Sequence, residues 1–161
     1  MPRIPELSAE QMDPIQKGVY DDIMAGPRNS LRGPFHAWLH SPGLADPAQK
    51  LGAFCRFSSS LPKRLSELAI LVIARYWCAQ FEWYAHAPMA MEAGVSSTAV
   101  EAIRLKQKPP LSWEDEILIY EFVSELLDHR TVSQVTYDRA QTMLGDRDRK
   151  STRLNSSHVL I

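Results

Sequence analysis

Glu67, Glu82 and His86 are the residues of this chain whose types and spacing suit chemistry. Glu82 and His86 are four positions apart, so on a helix they share one face. A carboxylate beside an imidazole fixes its tautomer and raises its pKa, which suits proton transfer near neutral pH. Glu67 can join them if its helix packs antiparallel to theirs across a turn near Cys78. Two carboxylates and one histidine would then form a proton relay with staggered affinities. In that arrangement His86 is the candidate general acid/base, Glu82 orients it and Glu67 shuttles protons. The competing reading is a solvent-exposed Glu–His pair, worth only about 0.2–0.5 kcal/mol. Trp83 and Tyr84 are the candidate substrate contacts, although such aromatics more often serve a core or an interface.

The other reactive types are less suggestive. Cys78, beside Trp77, reads as an inert buried thiol. Arg75 is better placed to pair with an acidic neighbour than to bind an acidic substrate. His36 and His40 are four apart with no further ligand at metal spacing, so no metal is assigned. No Gly-rich phosphate loop or dinucleotide fingerprint is present, and no cofactor is expected.

Positioning these groups falls to the stretch Leu61 to Gly94. Its apolar run, Leu68 to Ala74, reads as helix, because Pro62 suits a first turn and good helix formers follow for about sixteen residues. Apolar residues on nearly all sides make it a central, buried helix. A second helix is expected from about Gln80 to Ala93, bent at Pro88 and closed by Gly94. Upstream, Ser8 and Gln11 have capping-box spacing, Pro14 restarts the helix, and Ser41-Pro42 opens another toward Phe57. Downstream, Ser96, Ser112 and Ser133 are the expected starts of three further helices. With no convincing strand pair, the fold class is all-α.

The 161 residues suit one domain, expected over 1–147. Eighteen basic against nineteen acidic residues suggest no polyanionic partner, so no nucleic acid. Two cysteines 23 positions apart do not make a disulfide framework. MPRIPELSAEQ lacks a signal-peptide core, and no apolar run is long enough for a membrane span. The expected location is the cytoplasm. Asp148 to His158, DRKSTRLNSSH, resemble codon for codon the adapter ligated to fragments in short-read DNA sequencing. Residues 148–161 are therefore expected to be a disordered artefact, with the natural chain continuing beyond Arg147.

ELAILVIARYWCAQFEWYAHAPMAMEAGVS is similar to the carboxymuconolactone decarboxylase family, which includes the alkylhydroperoxidase D-like proteins. The likeness is strongest over residues 60–107 and reaches more loosely to PFHAWLHSP at 34–42. In the thiol-active branch a Glu precedes a Cys-x-x-Cys, with a His four residues after the second Cys. Glu67 and His86 match the Glu and the His, while the two cysteine positions fall on Ala79 and Glu82. Cys78 is one residue out of register, so the chain resembles the branch without the redox pair. The resemblance implies a compact all-α fold, self-association as a trimer or hexamer, and action on a small organic acid or lactone. Peroxiredoxin-type activity, a label shared across the family, and a non-catalytic assembly domain are the alternatives.

Overall fold

The computed structural model describes residues 4–145, and every regular element among them is a helix. The expected artefact at 148–161 lies outside the described residues. Among those residues no helix is long and apolar enough to cross a membrane. Backbone packing divides the chain into two compact units, Met1–Ser58 and Ser59–Ile161. The division falls in the serine run ahead of Pro62, where the 60–107 stretch begins.

In the first unit, α1 (Pro14–Ala25) starts at Asp13, not at Ser8. The side chain of Gln11 does accept the Ser8 N–H at 3.0 Å, but the chain completes only one turn there. A residue before proline is driven out of helical geometry, so Asp13 becomes extended and caps the helix that Pro14 opens. Its carboxylate accepts the N–H groups of Ile15 and Gln16, and Gln16 returns the bond to Asp13. Helix α2 (Phe35–Trp38) and helix α3 (Pro42–Ala53) follow, the latter running into a π-helical turn at Phe54–Ser58. Pro42 opens α3, but the Ser41 side chain makes no capping bond. Val19, Ile23, Phe35, Trp38, Leu39 and Ala45 form the core of this unit.

The second unit contains α4 (Lys63–Tyr76), α5 (Gln80–Glu92), α6 (Ser97–Arg104), α7 (Glu114–His129) and α8 (134–145). Ten consecutive residues of α4, Leu65 to Ala74, are buried. A helix apolar on all sides must be surrounded, and α4 packs against α5, α6 and α7. Leu68, Leu71 and Ile73 are wholly inaccessible, and each such side chain contributes about 1.5–3 kcal/mol through burial. Gly94 has φ +105°, outside the range of most side chains, and turns the chain from α5 toward α6. Ser96 then caps α6, its hydroxyl accepting the Ala99 N–H.

Helix α7 departs from expectation at its start. It begins at Glu114 behind an extended Trp113, with no side-chain cap. Three acids, Glu114, Asp115 and Glu116, fill the first turn and complement the helix dipole in place of a serine cap. Ser133 does cap α8, accepting the Thr136 N–H at 3.3 Å. Glu125 joins the two helices by accepting Ser133 N–H at 2.7 Å and Thr136 O–H at 2.6 Å.

Candidate functional site

Helices α4 and α5 are separated by only residues 77–79, so they fold back on one another. Two cross-contacts fix the register. Glu67 reaches His86, and farther from the turn the Arg64 side chain lies 3.5 Å from where a Cβ would sit on Gly94. Rising number on α5 thus meets falling number on α4, as an antiparallel pair requires.

His86 is held at both ring nitrogens. Nδ1 is 2.7 Å from Glu67 Oε2, and Nε2 is 3.4 Å from Glu82 Oε2. The Glu67 carboxylate accepts from Nδ1–H, which leaves Nε2 as the ring nitrogen that faces Glu82. Exposure is graded along the chain of groups: the side chains of Glu67, His86 and Glu82 are 2%, 10% and 28% exposed. A carboxylate as deeply buried as Glu67 is tolerable only with a partner that satisfies it, and His86 is that partner.

The geometry separates the two carboxylates by depth. Glu67 is sealed in the core and bonds the inner nitrogen, so it orients the ring. Glu82 lies at the outer nitrogen and is the more accessible carboxylate, so it is the member of the trio open to solvent.

Burial alone would pull the His86 pKa down, but the hydrogen bonds and charges of Glu67 and Glu82 outweigh it and hold the group above its ordinary value. The consequence for stability has a definite sign. A histidine raised on folding binds its proton more tightly in the native state. Its contribution is complete below the unfolded pKa of about 6.5 and is lost as pH rises through the folded value. Urea denaturation across this range, alongside an NMR titration of the His86 ring, should show stability falling over the interval in which His86 deprotonates. Stability flat or rising through that interval would contradict the assigned pair.

The other singled-out residues are placed differently. Trp83 is partly buried and packs on the core beside Ala87. Tyr84 is 80% exposed. It stands two residues from both Glu82 and His86, hence on the opposite side of α5, and does not line the site within one chain. Cys78 is exposed, not buried, because it occupies the α4–α5 turn with φ +55°. Among the described residues Arg75 pairs with no acid; its Nε donates to the Arg104 carbonyl at 2.6 Å, satisfying the end of α6. His40 Nε2 lies 2.8 Å from the Pro5 carbonyl. Among the described residues no group of three or more His, Cys, Asp or Glu is arranged to hold a metal ion.

One supporting cluster escaped the spacing argument. Arg64, one turn before Glu67, donates through Nη2 to Asp115 at 2.7 Å. Its Nη1 lies 2.6 Å from Glu116 Oε1, a charge contact without hydrogen-bond alignment. Glu116 is buried, so this clamp fastens the first turn of α4 to the first turn of α7. The acidic triplet at 114–116 was the available signal, but only the fold shows which cation it meets.

Comparison with known proteins finds no match: no family model, no curated protein and no solved structure.

Proposed function

We propose that this chain is a carboxymuconolactone decarboxylase-like enzyme that acts on a small organic acid or lactone by proton transfer through His86. The observation that carries the reading is the buried imidazole held between Glu67 at 2.7 Å and Glu82 at 3.4 Å. Nε2 removes or returns a proton at a carbon next to a carbonyl, Glu67 holds the ring and balances the imidazolium, and Glu82 connects Nε2 to solvent. Such positioned acid–base groups contribute about 10²–10⁴-fold in rate. The chemistry needs no group beyond these side chains.

Self-association belongs to the same reading. Phe81, Tyr84 and Met91 lie at helical spacing along the outer side of α5 and are exposed. An apolar stripe of that kind suits contact with further copies, and Tyr84 would serve a neighbour more readily than its own site. A thiol peroxidase is the weaker reading, since that chemistry uses a reactive thiolate with a resolving thiol in reach. Ala79 and Glu82 occupy the positions where the redox branch carries its two cysteines. The test is a panel of small lactones, keto acids and hydroperoxides incubated with the whole chain. Consumption of a lactone or keto acid is expected, and turnover confined to hydroperoxides would reverse the order of the two readings.

A further inference from the structure

The charges around His86 bear on which substrates can reach it. Its sealed side is Glu67 and its accessible side is Glu82, both carboxylates. The helices packed on this pair add little positive charge. Neither α5 nor α7 contains a lysine or arginine, and α7 brings seven acidic or histidine side chains. On α4, Arg64 is engaged by Asp115 and Glu116, Arg75 by the Arg104 carbonyl, and Lys63 is exposed at the first position. On α6, Arg104 is held by both oxygens of Glu101. Sites that bind carboxylates normally present an arginine fork or an ammonium at the point of contact. Among the described residues, the point of contact here presents a carboxylate.

We propose that the site takes an uncharged carbonyl compound, a neutral lactone or ester, and turns away substrates that carry a carboxylate. The inference rests on the proton-transfer reading above and chooses within it, favouring proton shift next to a carbonyl over loss of carbon dioxide from an acid. In a β,γ-unsaturated lactone the α-carbon proton passes to Nε2 and returns at the γ-carbon while the double bond moves into conjugation. One C–H bond breaks, one forms, and no oxidant or co-reactant is consumed. An anionic ring would have to bring its charge against Glu82, whereas a neutral ring meets no such opposition.

The experiment compares α-angelica lactone with the same ring bearing a carboxylate side chain, using the whole chain in D2O. Loss of the α-proton signal and growth of the conjugated product are followed by NMR, with the His86 ring resonance as a separate report of binding. The neutral lactone is expected to exchange and to move the His86 signal, with the carboxylate form at least about tenfold weaker in both. Raising salt, or the Glu82→Gln substitution, is expected to narrow that gap, because each weakens the repulsion. Equal or stronger action on the carboxylate form would overturn the inference and leave proton transfer by His86 standing. If neither compound exchanges or moves the His86 signal, the proton-transfer reading fails and this inference fails with it. A gap unchanged by Glu82→Gln and by salt would also overturn it, since the discrimination would then not be electrostatic.

Discussion

Replacing His86 by alanine is expected to lower turnover by about 10²–10⁴-fold, the range associated with a positioned general acid/base. The same preparation should bind its substrate with little change, so the loss should fall on kcat more than on KM. Cys78→Ser is the matched control. Cys78 is exposed in the α4–α5 turn, where its sulfur lies 3.5 Å from Arg75 Nη1 and is not among the groups that hold His86. It should therefore keep nearly full activity. Glu67→Gln should fall between the two, because glutamine preserves the shape but not the charge that balances an imidazolium. Since Glu67 is only 2% exposed, its variant must be checked for folding by circular dichroism before its rate is read. Hydroperoxide turnover that survives His86→Ala and disappears in Cys78→Ser would sink the assignment.

The candidate site was legible in the sequence to the extent that it depends on local periodicity. Four-residue spacing places Glu82 and His86 on one face whatever else the chain does. Glu67 followed once α4 and α5 were read as helices with a short turn between them. The caps at Ser96 and Ser133 and the turn at Gly94 were equally local, each set by one side chain or one missing Cβ. What spacing could not show was depth. Glu67 and Glu82 are the same residue type, and only packing decides that one is sealed at Nδ1 and the other open at Nε2. Cys78 was misread for a related reason: an apolar neighbour such as Trp77 says little when both occupy a turn, where Trp77 is itself exposed. The start of α7 at Glu114 in place of Ser112 shows charge in the first turn substituting for a hydroxyl cap. The Arg64 clamp was the least legible feature, since its partners lie 51 and 52 positions away.

That clamp carries the largest stability effect expected outside the apolar core. The carboxylate of Glu116 is 5% exposed and faces Arg64, whose own side chain is 22% exposed. Burial pulls the Arg64 pKa down, but the Asp115 and Glu116 side chains beside it more than restore it, so the guanidinium remains charged. Removing one member of such a pair leaves the other buried and uncompensated, at a cost of about 3–5 kcal/mol for full burial. Because Arg64 keeps some contact with water, Arg64→Met is expected at the lower end, about 3 kcal/mol, by urea denaturation. Arg64→Lys should recover only part, since one ammonium cannot engage Asp115 and Glu116 with the fork that guanidinium presents. The double variant Arg64→Met with Glu116→Leu should regain most of the loss, because it removes the stranded charge along with the pair. A cost below about 0.5 kcal/mol for Arg64→Met would place the contact among ordinary surface pairs. Glu116 would then have to be hydrated in solution, and α4 would owe its register beside α7 to the shared core of Leu68, Leu71 and Ile119 and to the Tyr76 hydroxyl, which donates to the Leu127 carbonyl at 3.1 Å.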